Sequence, residues 1–276
     1  MNNNIPIDNP LPEIKLAIQA VIEAGKEVMT IYNQGFSSTI KNDNQPITEA
    51  DIRSNNIIQK LISSFGYPIL SEESVDDKKR LNFQKIWIID PLDGTTDFIQ
   101  KTGEFTIMIS LLKGKKPILG IIYWPTEDIL FLAQKDKGAY KLYKDTWSKI
   151  SVSNISELSQ CIAVGSRYHI SEIEQKFLKL LNINKFISKG SSLKVTDISS
   201  GSAEFYFTTT NKIKQWDTCA SYCLINEAGG KMTDMFGNDL EYNTEKLNHD
   251  NGLLVSNGLI HEKIIKLYNE SQKEKT

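Results

Sequence analysis

Apolar residues recur at helical spacing in two early segments of the chain. Residues 14–32 carry an apolar side chain every three or four positions, which predicts an amphipathic helix. Thr48 begins a second helix, because Asp51 follows three residues later in the manner of a capping box. Apolar positions within residues 57–62 continue the buried face of this second helix.

Strand patterns follow these helices and change in character halfway along the chain. A short strand at residues 67–70 ends at Glu72, and a buried strand at residues 85–89 leads directly into Asp90. Further strands are predicted at residues 105–112, 117–123, 129–133, 139–143, 162–164 and 204–207, and further helices at residues 171–181, 191–199 and 218–228. The pattern predicts an α/β (α+β) protein with helices layered on sheets.

A polar stretch at residues 145–155 separates the two patterns. It predicts an N-terminal α+β lobe over residues 1–150 and a C-terminal α/β lobe over residues 151–276.

Composition narrows the classes of function. Apolar residues make up 40% of the chain and charged residues 24%, as in ordinary globular proteins. The net charge of −2 gives no positive field for a polyanion, so we expect no nucleic-acid partner. The first ten residues lack the features of a secretory signal, and no apolar run is long enough to span a bilayer. We therefore expect a cytoplasmic protein, with peripheral attachment to the cytoplasmic face of the inner membrane as the alternative.

The three cysteines do not predict a disulfide or a zinc site. Cys161, Cys219 and Cys223 are an odd number and are widely spaced, and they form no paired CxxC motif. We expect them to be buried as small apolar side chains.

The most informative segment is IWIIDPLDGTTDF at residues 86–98. The buried strand brings Asp90 to its C-terminal end, where functional groups are commonly found. Pro91 fixes a backbone dihedral angle, and Asp93 places a second carboxylate near that of Asp90. The carbonyl oxygen of Leu92 remains free to bind a cation. These oxygens favour a hard cation such as Mg²⁺ over Zn²⁺.

Gly94 follows Asp93 and allows an unusual backbone angle. We expect a short helix to begin here, with the amides of Gly94 and Thr95 facing an anion.

This segment also allows two other interpretations. Asp, Pro and Gly also occur together in ordinary surface turns, but three Asp residues directly after a buried strand favour a metal site. The segment is also close to the Asp-x-Asp-Gly-Thr motif of haloacid-dehalogenase-type enzymes. Here the two carboxylates are three residues apart, and Pro91 stands where the nucleophile should be. This spacing favours metal ligation over an aspartyl-phosphate intermediate.

Two further acids are weak signals when each is taken alone. Glu72 with Glu73 could be a solvated loop pair, and Asp217 could be an ordinary helix N-cap. They gain weight only in combination with the segment around Asp90.

Taken together, these segments resemble the lithium-sensitive inositol monophosphatase superfamily. The resemblance covers residues 14–257, and within the superfamily the chain is most similar to the CysQ-type 3′(2′),5′-bisphosphate nucleotidases. The motifs that carry it are Ala50-Asp51, Glu72-Glu73, DPLDGTTDF (90–98), GEF (103–105), SRYH (166–169), GSSLK (190–194) and WDTCASYCLINEAGG (216–230). The resemblance implies an α/β/α/β/α sandwich and hydrolysis of the 3′-phosphate of adenosine 3′,5′-bisphosphate to AMP and phosphate.

The resemblance also implies two or three Mg²⁺ ions per site. Glu72, Asp90 and the Leu92 carbonyl would hold one ion, and Asp90, Asp93 and Asp217 a second. A third, weaker ion would lie near Glu72. The reaction implied is direct in-line attack of a metal-activated water, without a phosphoenzyme.

The remaining roles implied are catalytic and substrate-binding. Asp51 and Thr95 would orient and deprotonate the water. The second phosphate would be held by Ser191 and Lys194 at the N-terminus of a helix, and His169 matches a substrate-side position.

Substrate preference is left open by one departure from the resemblance. Many CysQ-like proteins carry an arginine shortly after the strand at residues 204–207, and this chain has none there. Lys212 or Lys214 could substitute, although lysine lacks the bidentate fork of arginine. An inositol-1-phosphate phosphatase is the nearest alternative, fructose bisphosphatase activity is more distant, and a non-catalytic, metal-dependent nucleotide-binding protein is the alternative from another class.

Overall fold

The computed structural model describes residues 5–41, 46–168, 170–183 and 185–273. Within these residues the helices are α1 (Ile14–Gln34), α2 (Glu49–Ile62), α3 (Thr95–Ile99), α4 (Glu172–Leu181), α5 (Leu193–Ser199), α6 (Gln215–Glu227) and α7 (His261–Lys273). The first strands are β1 (Ser38–Ile40), β2 (Pro46–Thr48), β3 (Ile69–Ser71), β4 (Lys85–Asp93), β5 (Thr106–Lys113), β6 (Lys116–Trp124), β7 (Ile129–Gln134), β8 (Gly138–Tyr143) and β9 (Thr146–Ile150). The later strands are β10 (Ile162–Gly165), β11 (Lys185–Ser188), β12 (Phe205–Thr208), β13 (Lys231–Thr233) and β14 (Leu253–Ser256).

The capping box predicted at the start of α2 is confirmed. The Thr48 hydroxyl accepts a hydrogen bond from the amide of Ala50 at 3.1 Å, and Asp51 Oδ2 accepts one from the amide of Thr48 at 2.7 Å. These bonds satisfy amides that a helix start otherwise leaves unpaired. They also fix the position of the Asp51 side chain, which is buried.

The first sheet has seven strands in the order β3-β4-β5-β6-β7-β8-β9, and only the β3–β4 pair is parallel. Strand β4 buries side chains on both faces. Trp87 and Ile89 pack into the core that α1 and α2 share with the sheet, whereas Ile86 and Ile88 face the opposite core. A strand with both faces covered reads as a continuous apolar run, which is why β4 was predictable from KIWII.

The second sheet has the strand order β11-β10-β12-β14-β13. Helices α5 and α6 lie between the two sheets, and α4 and α7 cover the outer face of the second one. With α1 and α2 on the outer face of the first sheet, this gives five layers. The predicted α/β/α/β/α sandwich is confirmed.

Some element predictions need correction. The polar stretch proposed as a boundary contains β9, which extends the first sheet to Ile150 as an exposed edge strand. Helix α5 begins at Leu193 and not at residue 191, because Ser191 has a φ of 48° that an α-helix cannot include. Helix α6 begins at Gln215, three residues earlier than predicted. Strands β1, β2, β11, β13 and β14 and helix α7 were not predicted either.

The division into two lobes stays a prediction. Although α6 belongs to the second half of the sequence, it packs on β6 and β7 of the first sheet as well as on β13 of the second. Gly120 makes this contact close: an added Cβ would lie 2.4 Å from the Ala220 carbonyl oxygen. The two halves therefore share one interior around α6.

The cysteines behave as predicted. Cys161, Cys219 and Cys223 are free and buried, and burial raises the pKa of each thiol. Among the described residues, no helix is both long enough and apolar enough to cross a membrane. The cytoplasmic location stays a prediction.

Candidate active site

The parallel pairing of β3 and β4 brings two acids to the same edge of the first sheet. Ser71 at the end of β3 pairs with Ile89, so the residues that follow each of them, Glu72 and Asp90, leave the ladder side by side. Asp90 is buried, and Glu72 is partly exposed to the adjoining cavity. Two acids that the resemblance assigns to the same ion therefore lie side by side.

Asp217 reaches the same place from α6. Its Oδ2 accepts a hydrogen bond from the amide of Lys214 at 2.8 Å, so Asp217 is the third residue of the helix and not its N-cap. Carboxylate oxygens of Glu72, Asp90 and Asp217 all lie within 4.8 Å of one another. The two acids that are weak signals separately thus form one cluster with Asp90.

A β-bulge around Pro91 orients the next carboxylate. The register of β4 against β5 shifts between Asp90 and Asp93, as expected where a bulge redirects side chains. The Pro91 carbonyl accepts a 2.6 Å hydrogen bond from Ser54, and the Leu92 amide donates to Asp90 Oδ1 at 3.1 Å. The bulge therefore rests on two side-chain contacts that the sequence did not reveal.

The cluster is electrostatically unfavourable without a cation. Withdrawal from water, and then the charge of Glu72, raises the pKa of both Asp90 and Asp217 well above its usual range. Withdrawal from water also raises the pKa of Glu72 to about 7, against the opposing effect of Lys41. A set of carboxylates that repel each other in a shielded place matches the donor set that hard divalent cations require. The residues fit such an ion.

Lys41 neutralises part of this charge in the structure. Its ammonium lies 3.0 Å from Glu72 Oε1 and 2.5 Å from Glu73 Oε1. Burial acts to lower the pKa of Lys41, but the two carboxylates outweigh it and raise that pKa. No local motif marks Lys41, since its partners are about thirty residues away in sequence.

The predicted pair of Asp51 and Thr95 lies beside the cluster. The Thr95 hydroxyl is 2.9 Å from Asp51 Oδ1 and 3.2 Å from the Leu92 carbonyl oxygen. The other oxygen, Asp51 Oδ2, accepts from the amide and the hydroxyl of Thr48 at 2.7 and 2.6 Å. Burial raises the pKa of Asp51 despite these donors.

Gly94 has the conformation that the sequence suggested. Its φ is 92°, and it precedes the short helix α3. An added Cβ would lie 3.1 Å from Cβ of Ser191 and 3.2 Å from the Glu104 carbonyl oxygen, so there is little room for a side chain. The anion-binding role of the Gly94 and Thr95 amides stays a prediction.

Asp93 joins the cluster to the segment before α5. Its Oδ2 accepts a hydrogen bond from the Ser192 amide at 2.5 Å, and the Thr106 hydroxyl lies 3.4 Å away. Burial raises the pKa of Asp93, and Lys194 opposes this. Asp93 thus faces both the predicted metal ligands and the predicted substrate anchor.

The anchor itself differs from the prediction. Because α5 begins at Leu193, Ser191 lies outside the helix and does not mark its N-terminus. The Lys194 ammonium donates to the Ser191 carbonyl at 2.5 Å and lies 5.3 Å from the centre of the Tyr206 ring. Burial lowers the pKa of Lys194, and the nearby acids, Asp93 first, counteract this. Lys194 therefore lies close to the acidic cluster.

A cavity of about 1080 Å³ opens over these residues. It is lined by all five predicted metal-site residues, by Gly94, Thr95, Ser191 and Lys194, and by Lys212 and Lys214. His169 lies outside the described residues, although its neighbours Tyr168 and Ile170 line the cavity. Asp51 is not in the lining but contacts Thr95, which is.

The chain is similar to known proteins over most of its length. The model of the inositol monophosphatase family matches residues 10–273. A curated relative, the 3′(2′),5′-bisphosphate nucleotidase CysQ of Buchnera aphidicola, is 38% identical over 231 residues, covering 81% of this chain and 85% of that protein. CysQ from Bacteroides thetaiotaomicron has a similar structure, with a TM-score of 0.75 and 29% identity over 88% of this chain and 96% of that one. An IMPase of Thermotoga maritima shares the fold with a TM-score of 0.82, at 24% identity over 96% and 99% of the two chains.

With these relatives, the fold and the site define a metal-dependent phosphatase, in which an acidic cluster opens into a cavity. The chain belongs to the inositol monophosphatase family.

Proposed function

We propose that this chain is a Mg²⁺-dependent 3′(2′),5′-bisphosphate nucleotidase. It hydrolyses the 3′-phosphate of adenosine 3′,5′-bisphosphate and releases AMP and phosphate. One observation carries the proposal: the oxygens of Glu72, Asp90 and Asp217 converge within 4.8 Å, beside the hydrogen bond between Thr95 and Asp51. The curated relative named as such a nucleotidase supports the choice of substrate.

The donor set supports Mg²⁺. Carboxylates and a backbone carbonyl are hard oxygen ligands, which suit Mg²⁺ better than the softer transition metals. We expect Glu72, Asp90, Leu92 O, Asp93 and Asp217 to hold two or three ions. When bound, these ions lower the pKa of water and stabilise negative charge on the phosphoryl group.

Asp51 and Thr95 hold and move the proton of the attacking water. Both donors of Thr48 occupy Asp51 Oδ2, which leaves Oδ1 for the Thr95 hydroxyl. As the water attacks in line with the leaving oxygen, Thr95 accepts its proton and passes its own proton to Asp51 Oδ1. The raised pKa of Asp51 makes it a stronger base than an exposed aspartate. An intact pair supports an enzyme over a non-catalytic binding protein.

The second phosphate needs a cation elsewhere in the cavity. The Lys214 ammonium donates to Asn248 Oδ1 at 2.8 Å, and Lys194 lies near Asp93. Lys212 lines the cavity and is exposed. We therefore take Lys212 as the residue that holds the second phosphate, and Lys194 as a residue acting near the scissile one.

Recognition of an inositol ring is less well supported. A polyol ring requires a group that is free to bind hydroxyls. Glu174 lines the cavity close to Thr208 and Thr209, but both of its oxygens already accept hydrogen bonds: Oε1 from the Thr208 hydroxyl and the Thr209 amide at 2.7 and 2.6 Å, and Oε2 from the Ser171 amide at 2.8 Å. Both Glu174 oxygens therefore already accept hydrogen bonds from within the protein, which does not favour their binding an inositol hydroxyl.

Phosphate release tests the proposal directly. Purified protein is assayed with adenosine 3′,5′-bisphosphate, inositol 1-phosphate and fructose 1,6-bisphosphate, each with Mg²⁺ and with excess EDTA. We expect the highest kcat/KM for the nucleotide and no release in EDTA. A preference for inositol 1-phosphate would overturn the substrate, and release in EDTA would overturn the metal requirement.

A further inference from the structure

Arg167, which stands in the SRYH motif without an assigned role, connects the two halves of the chain at the edge of the cavity. One of its terminal nitrogens donates to Glu104 Oε2 at 2.7 Å, and the other donates to Asp97 Oδ1 at 3.3 Å. Both acids belong to the first half, on or beside α3 and β5. The Arg167 side chain is 31% exposed, whereas that of Asp97 is 6% exposed.

Glu104 also contacts residues 190–192, the segment that precedes α5. The same oxygen that accepts from Arg167 also accepts from the Gly190 amide at 2.7 Å. Two residues later, the Ser192 amide donates to Asp93. Residues 190–192 are therefore held by two carboxylates of the first half, one of which is a predicted metal ligand.

The packing at this place leaves little freedom. An added Cβ on Gly190 would lie 2.6 Å from the Glu104 carbonyl oxygen and 2.7 Å from Cγ of Asp97. Ser191 lies against Gly94 with a left-handed φ of 48°. A small displacement of Glu104 would therefore move Ser191 and Gly94, which both line the cavity.

We infer that Arg167 is a positioning residue for the phosphate ester, acting through Glu104 on residues 190–192. It has two effects. It fixes the Gly190 amide by holding the Glu104 carboxylate in place, and it neutralises two acids beside a cavity that must accept a polyanion. The second effect rests on the proposed function, whereas the first does not.

The positional effect is tested by hydrogen–deuterium exchange of a peptide covering residues 189–193. Without its partner, Glu104 no longer holds the Gly190 amide, so Arg167→Ala and Glu104→Ala should both speed exchange in this peptide by about tenfold. Glu104→Gln is the matched control, because its amide oxygen can still accept from Gly190. Unchanged exchange in both alanine variants would overturn the positional effect, whatever the substrate of the enzyme.

The charge effect is tested by kinetics at two ionic strengths. In Arg167→Ala, KM should rise about 10- to 100-fold for adenosine 3′,5′-bisphosphate and less for adenosine 3′-monophosphate, since the bisphosphate carries more negative charge. The difference should shrink as salt is added. Arg167→Lys restores the positive charge but not the forked guanidinium. Its KM for each of the two substrates should therefore be close to wild type, whereas exchange in the peptide should remain fast.

Equal, salt-independent losses on both substrates would contradict the charge effect and reduce Arg167 to a structural residue. If wild-type protein hydrolyses neither nucleotide, the proposed function fails, and the exchange experiment still decides the positional effect.

Discussion

The Thr95 hydroxyl donates to Asp51 Oδ1 at 2.9 Å, although the two residues are 44 positions apart in sequence. The contact joins the first turn of α2 to the first turn of α3. Because the capping box of α2 already fixes Asp51, the geometry of a helix start also sets the geometry of the proposed base. The Asp51 carboxylate therefore both caps α2 and accepts the hydrogen bond from Thr95.

Replacing Thr95 separates water activation from binding. Thr95→Ala should lower kcat by about 10²- to 10⁴-fold, the range of a lost general base or its relay, with KM nearly unchanged. Thr95→Ser keeps the hydroxyl and is the control, with kcat close to wild type. A variant that raises KM at constant kcat would make Thr95 a binding residue instead.

Replacing Asp90 should separate activity from stability. Asp90→Asn removes the ligand that we expect two ions to share, so activity should fall far below a tenth of wild type. It also removes one of several repelling buried carboxylates, so the melting temperature in EDTA should rise. Phosphate release and a thermal scan check the two effects. Residual activity above about a tenth, itself only ~1.4 kcal/mol in the barrier, would contradict the assignment.

The raised pKa of Glu72 predicts a pH dependence of the metal-free protein. Its pKa is about 7 in the folded protein against the ordinary 4.5, so the folded state binds more protons between these two values. The free energy of unfolding in EDTA should therefore fall as pH rises from about 4.5 to 7, by on the order of 1–3 kcal/mol for this group. Mg²⁺ should restore most stability at pH 8, where the carboxylates are ionised.

Denaturant titrations at several pH values, with and without Mg²⁺, measure this dependence. Glu72→Gln is the control, since it cannot titrate and should flatten the slope. A slope that is equally steep in Glu72→Gln would assign the effect to other groups.

The two cavity lysines should affect different substrates. Lys194 lies near Asp93, so Lys194→Ala should damage hydrolysis of adenosine 3′,5′-bisphosphate and of adenosine 3′-monophosphate about equally. If Lys212 holds the second phosphate, Lys212→Ala should cost about 10- to 150-fold in kcat/KM for the bisphosphate, the value of a charge-assisted contact, and little for the monophosphate. The reverse pattern would return Lys194 to the role first predicted from the sequence.

The sequence predicted those parts of the fold whose signals are local. Strand β4 is a buried apolar run, and the start of α2 has a capping box. Strand β11 has a largely exposed pattern and gives no such signal, and β9 is polar enough to resemble a linker. Ser191 shows the same limit within the site, because nothing local indicates that its left-handed φ delays the start of α5.

Contacts between distant residues were the least predictable part of the site. Lys41 on Glu72 and Arg167 on Glu104 are ion pairs across 31 and 63 positions, and no motif indicates that these residues pair. The carboxylates of Glu72, Asp90 and Asp217 converge as the resemblance implied. Their roles as metal ligands stay predictions.

The position of α6 between the two sheets has a consequence for synthesis of the chain. Asp217 leaves the ribosome long after Glu72 and Asp90, because the chain is synthesised from its N-terminus. Until α6 docks, Glu72 and Asp90 lack the third acid of the cluster, Asp217. The acidic cluster is therefore complete only after α6 has been translated and has packed against the first sheet.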